Sequence, residues 1–223
     1  LIQRARIVAG ASEKITKLKE LIADYKNDSH ILIYCGAAAM HDIDYHEGRP
    51  SDDEARQIDI VTDMLGNYFN MRISKFTSEE SSEEREIIKE NFAEGRHLQA
   101  LAAIRCLDEG VNIPSVRTAF ILASSTNPKE YVQRRGRVLR KFPGKDHAVI
   151  FDFITLPVPL DDTGLYYPWF IESVRTLAMR ETSRMQDFAE IAENPFESDS
   201  LIYDIRQKYN IDTETEESDE YYV

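Results

Sequence analysis

Five short runs of sequence, at 31–35, 72–76, 98–104, 117–123 and 148–153, constrain this chain more than any other feature, because several are apolar almost throughout. Runs of four to eight residues bounded by turn formers read as strands. Where polar residues do not alternate with apolar ones, both faces of the strand must be covered, as in a parallel sheet. Helical patterns fill the intervals. Ser51 with Glu54 has the spacing of a capping box opening a helix toward Tyr68, and Ser81 with Glu84 opens another toward Ala93, ended by Gly95. Asn127 as N-cap, Pro128 at the first helical position and Glu130 at the third make the clearest helix start in the chain. This alternation predicts an α/β fold, a wound mostly parallel sheet with helices on both faces.

The flanks read differently. Residues 1–27 form an amphipathic pattern with Ile15, Leu18, Leu21 and Ile22 at helical spacing, expected as a leading helix or connector before a main domain over 28–156. Beyond Pro157 and Pro159 a helical extension is expected over 157–209. One helix at 168–192 carries Phe170, Val174, Leu177 and Met185, and a shorter one at 200–209 follows a break at Pro195. Residues 210–223 make an acidic tail. Leu rather than Met opens the chain, which suggests a piece of a longer polypeptide.

Charge narrows the functional classes. With 27 Lys and Arg against 40 Asp and Glu, the formal charge of −13 argues against binding nucleic acid through a broad basic surface. The basic residues concentrate at 129–145, in Lys129, Arg134, Arg135, Arg137, Arg140, Lys141 and Lys145, so chemistry is sought there. The longest apolar stretch, 31–40, is far shorter than the roughly 20 residues of a membrane span, and no signal segment opens the chain, so a soluble, intracellular, cytoplasmic protein is expected. The two cysteines, Cys35 and Cys106, each lie in an apolar run and read as buried thiols. His41, Asp42, Asp44, His46 and Glu47 have ligand-like chemistry but no second cluster of matching spacing. They are read as a solvated loop, and no metal site is expected.

Two segments carry the functional signal. Leu107-Asp108-Glu109-Gly110-Val111-Asn112-Ile113-Pro114 is followed by a strand and then by Gln133-Arg134-Arg135-Gly136-Arg137-Val138-Leu139-Arg140. On a helix Gln133, Arg137 and Arg140 share one face, and the planar guanidinium fork suits bidentate contact with phosphate oxygens. Gly136 keeps that helix thin. These segments closely resemble motifs V and VI of superfamily 2 DEAD/DEAH-type helicases. The resemblance extends through 31–35 and through Thr77, Arg85, Phe92 and Gly95 to cover about residues 10–155. The final helices are similar to extensions in the branch of type III restriction and DNA-repair motors.

The resemblance implies a RecA-like C-terminal lobe of an ATP-dependent helicase or translocase. Arg137, Arg140 and Gln133 would be the catalytic side chains that meet the γ-phosphate, with Glu109, Gly110, Asn112 and Arg134 about the nucleotide. Asn112 departs from the family's usual Asp, implying altered contact with the ribose. Arg134 has a second expected role, bracing its helix through an acidic partner. Nucleic acid is expected across the C-terminal strand ends, at Gly36, Ala37, Thr77, Ile104 and Arg105, held through its backbone without sequence reading. Ile104 stands where many relatives have a phosphate-gripping Thr. Arg105 is therefore either its substitute or a plain surface arginine.

No Gly-x-x-x-x-Gly-Lys-Ser/Thr loop occurs, and Asp52-Asp53-Glu54-Ala55 begins a helix rather than following a strand. ATP and Mg²⁺ are thus expected mainly on an N-terminal lobe of the same parent chain, and this chain alone is expected to be inactive. The nucleic-acid partner is expected to be DNA rather than RNA, by analogy with the restriction and repair relatives. The competing reading is a RecA-like binding or regulatory module without catalysis.

Overall fold

The computed structural model of the protein describes residues 12–36, 39–40, 55–77, 80–104, 113–123 and 128–211. The described strands are β1 (Ile31–Tyr34), β2 (Ala39–Met40), β3 (Ala55–Arg56), β4 (Ile73–Phe76), β5 (Ala100–Ala103), β6 (Thr118–Ile121) and β7 (Val149–Asp152). The helices are α1 (Ser12–Ile22), α2 (Gln57–Asp63), α3 (Ser82–Glu94), α4 (Pro128–Val138), α5 (Pro168–Ala189) and α6 (Pro195–Lys208). By contacts the chain divides into two compact units, residues 1–153 and 154–223.

In the first unit all five predicted runs become strands of one sheet, in the order β4-β5-β1-β6-β7, with every pairing parallel. The central strands β5, β1 and β6 are buried at every residue, which is why their sequences show no alternation. Each strand is shorter than its run. Gln99, at the head of β5, is buried and staples the N-terminal edge. Its amide nitrogen donates to the carbonyls of Lys26 (3.2 Å) and Asp28 (3.0 Å), and its oxygen accepts from the Arg72 N–H (3.1 Å).

Helices cover both faces. Ile15, Leu18 and Ile22 of α1 and Ile58 and Val61 of α2 pack with Ile31, Ile33, Ala100, Ala102 and Phe120 in one fully apolar layer. Burial of each such aliphatic side chain contributes about 1.5–3 kcal/mol. Helices α3 and α4 lie on the opposite face, where the Arg85 guanidinium sits over the Phe76 ring and that of Arg134 over the Tyr34 ring. The capping box that opens α3 is formed: the Ser81 N–H donates to the Glu84 carboxylate (2.8 Å) and the Glu84 N–H to Ser81 Oγ (3.3 Å). Gly95 ends α3 at φ +69°, a left-handed position that glycine adopts freely.

The helix expected from Ser51 is described only from Gln57 and continues through a wider turn, Met64–Tyr68. The Ser51–Glu54 capping box, residues 1–11, Asn127 and the cluster His41–Glu47 lie outside the described residues. The segment carrying that cluster is bracketed by an antiparallel ribbon, β2 with β3, which the sequence did not suggest.

In the second unit α5 and α6 share a core of Val158, Ile171, Ala178, Ile205 and Tyr209. The Tyr209 hydroxyl donates to the Val158 carbonyl and accepts from its N–H (2.9 Å), and burial pushes its pKa up. The helix expected at 200–209 begins earlier, because Pro195 starts it rather than breaking the chain before it. A first-turn N–H has no intrahelical acceptor, so proline loses nothing there.

Candidate functional site

The parallel register sets Phe76, Ala103, Tyr34, Ile121 and Asp152 in one row. Thr77, Ile104 and Gly36 therefore follow at the C-terminal edge of three adjacent strands. Ala37 and Arg105 lie outside the described residues.

The donors of that edge are already engaged from within the chain. The Gly36 N–H donates to Oε1 of Gln57, a wholly buried side chain at the start of α2, at 2.7 Å. The Thr77 N–H donates to the Glu80 carboxylate at 2.5 Å, its hydroxyl donates to the same group at 3.0 Å, and its carbonyl accepts from Arg85 at 2.8 Å. Thr77 is buried. A phosphate arriving here must exchange with these partners. Cys35, on the same edge, is an inert thiol, because burial and then the Asp59 carboxylate push its pKa far up.

Helix α4 presents two faces. Tyr131, Arg134 and Val138, at helical spacing, are buried against the sheet. Beside them Gln133 is exposed and Arg137 half-buried, whereas Arg140, expected on the same helical face, is exposed beyond the end of the helix at Val138. Arg134, expected both about the nucleotide and as a brace, is directed at the sheet: Nη1 donates to the Ala123 carbonyl at 3.2 Å, and the guanidinium lies 5.8 Å from the Tyr34 ring centroid. A Cβ added at Gly136 would meet nothing within 4 Å.

Lys145 finishes the helix. Its ammonium donates to the Val138 carbonyl, to that of Arg140 (3.0 Å) and to that of Pro114 (3.4 Å), a C-terminal cap of favourable charge. Partial burial, then the charge of Arg117, holds its pKa below the ordinary lysine value. The sequence marked Lys145 only as one more cation of a basic segment, and nothing in it pointed to Gln57 or Glu80. Glu109, Gly110 and Asn112 lie outside the described residues. Among the described residues no three His, Cys, Asp or Glu side chains gather as a metal site, and no helix is long and apolar enough to cross a membrane.

A parallel sheet wrapped by helices, with an arginine-bearing helix after its fourth core strand, defines a RecA-like α/β lobe. The Helicase conserved C-terminal domain family matches residues 13–142, and the chain belongs to that family. It is 26% identical over 156 residues to the DNA 3'-5' translocase XPB2 of Sulfurisphaera tokodaii, a match covering 67% of this chain and 28% of that protein. Among solved structures it is similar to the C-terminal part of the Fun30 ATPase domain, with a TM-score of 0.48 and 15% identity, over 89% of this chain and 54% of that one. It is also similar to the Pyrococcus furiosus Hef helicase domain, with a TM-score of 0.41 and 24% identity, over 64% of this chain and 26% of that one. The chain thus spans about a quarter of the translocase it matches. It is the C-terminal domain of a superfamily 2 helicase or translocase.

Proposed function

We propose that this domain is the arginine-supplying half of an ATP-driven motor that moves along DNA, paired with a lobe that anchors ATP and Mg²⁺. What carries the reading is one face of α4. Gln133 and Arg137 lie one turn apart on it, Arg140 follows two residues past its end at Val138, and Gly136 has open space at its Cβ position. Glycine within a helix costs about 1 kcal/mol relative to alanine. No described neighbour lies within 4 Å of its Cβ position, and that open space suits an approaching partner lobe or nucleotide.

The donor set fits a polyphosphate. Guanidinium groups and an amide N–H₂ donate to phosphate oxygens and neutralise the charge that spreads over them as the γ-phosphoryl group transfers. At the strand edge, Gly36 and Thr77 contact a nucleic-acid backbone only after Gln57 and Glu80 yield their donors. Binding by this chain alone is accordingly weak, indifferent to sequence and reduced by salt. DNA is favoured as the track by the relative described as a DNA translocase.

The test is the ATPase rate of a two-lobed protein carrying this domain. Arg137→Ala and Arg140→Ala are each expected to lower kcat by roughly 10³–10⁵, the range for arginine fingers, and lysine is not expected to restore it. Unchanged turnover would leave α4 as a solvated basic face. This chain by itself is expected to hydrolyse no ATP, and robust turnover by it would contradict the division of labour.

A further inference from the structure

Arg134 makes contacts inside the lobe that have a definite address. Its Nη1 donates to the carbonyl of Ala123, two residues beyond β6, and its guanidinium lies over the ring of Tyr34, the last residue of β1. These two contacts are tied to each other. The N–H groups of Leu122 and Ala123 both donate to the Tyr34 carbonyl, at 2.9 and 3.3 Å. Two residues past Tyr34 comes Gly36, whose amide is pinned by Gln57. One helical turn past Arg134 comes Arg137, and its direct neighbour is Gln133.

Arg134 as a whole exposes only 7% of its surface. Burying a charge is costly unless it is well partnered, and an aliphatic residue would fill the same space against a sheet at no such cost. A planar group that donates in its own plane and stacks on an aromatic ring fixes both the distance and the rotation of the element that carries it, which a greasy contact does not. On a helix, rotation is what decides where the next face points: Gln133 and Arg137 sit about 100° per residue around the axis from Arg134.

We infer that Arg134 is a positioning residue for the proposed phosphate-facing side chains: it locks the rotation of α4 on the ends of β1 and β6, so that Gln133 and Arg137 are aimed before the nucleotide arrives. The inference rests on the proposed role of α4 in phosphate contact. Loss of the lock leaves the helix in place, held by Tyr131 and Val138, but lets it roll. Misplacement of a catalytic group by about 1 Å costs on the order of 10²-fold in rate. Because the fingers act on charge that develops in the transition state, the loss falls on kcat and leaves KM for ATP nearly unchanged.

The experiment measures steady-state ATPase of the two-lobed protein as wild type, Arg134→Met, Arg134→Lys and Arg137→Ala, with circular dichroism and thermal melting of each. Methionine fills the volume without the planar donor. Arg134→Met is expected to melt as a folded protein, with kcat lowered about 10²-fold and KM for ATP held. Arg134→Lys, which keeps the charge and one donor but not the plane, is expected to fall between. A folded Arg134→Met with wild-type kcat beside a collapsed Arg137→Ala overturns the inference. If Arg134→Met does not fold, a folded Arg134→Lys with wild-type kcat overturns it equally. An unchanged Arg137→Ala is the separate signature of a failed reading of α4, and the inference falls with it.

Discussion

Glu181 and Arg184 form an interaction whose energetics are decided by burial. They stand one turn apart on α5, with side chains 3% and 4% exposed, joined by two parallel bonds of 2.9 Å each, and Glu181 also accepts the Thr155 N–H at 3.1 Å. An exposed pair at this spacing contributes only a few tenths of a kcal/mol. Inside the unit the balance is different, because removing Arg184 strands a carboxylate that neither water nor a cation can reach. Arg184→Met should therefore destabilise by about 3–5 kcal/mol. For a unit spanning only residues 154–223 that lowers the melting temperature by roughly 12–40 °C.

The double variant Glu181→Leu/Arg184→Met removes both charges and leaves the Thr155 N–H without its acceptor, a cost of about 1–3 kcal/mol. It should thus be more stable than Arg184→Met alone, although two native groups are gone. Calorimetry of the full chain, with the unit's transition followed across the wild type, both single variants and the double variant, gives the coupling energy directly. Equal stability of wild type and Arg184→Met would refute the reasoning. So would a double variant whose loss is the sum of the two single losses, since the pair would then be acting as independent surface charges.

Gly95→Ala places a side chain at φ +69° with its Cβ 2.8 Å from His30 Cε1 and 3.0 Å from Ser29 Oγ, so a loss of about 2 kcal/mol is expected in denaturant unfolding. An unaltered midpoint would mean that His30 swings aside at no cost. Glu84 titrates below the ordinary carboxylate value of 4.5, because the Ser81 N–H and then its hydroxyl hold the ionised form. A depressed carboxylate stabilises above its unfolded value and loses that contribution as the pH falls through the lower folded one. The protection factors of amides at the start of α3, with the intrinsic pH dependence of exchange divided out, should accordingly fall on acidification below 4.5, and Glu84→Gln should remove that fall. The same acid response in Glu84→Gln would assign it to another group.

What the sequence determined by itself was everything that depends on neighbours along the chain. The five apolar runs called for a sheet covered on both faces, the Ser81–Glu84 spacing for a capping box, and positions 133 and 137 for a shared helical face. Those are consequences of the periods of helix and strand, and they hold before any tertiary contact forms. The periods say which residues go together, not what they face. That Arg134 turns to the sheet was decided by the Tyr34 ring, a hundred positions earlier in the chain. That Gly36 and Thr77 meet at one edge with their donors already taken was decided by the order β4-β5-β1 and by Gln57 and Glu80. Lys145 caps α4 only because the turn after it folds back under the helix. A buried donor or charge must find a partner, and the nearest partner in space is rarely the nearest in sequence.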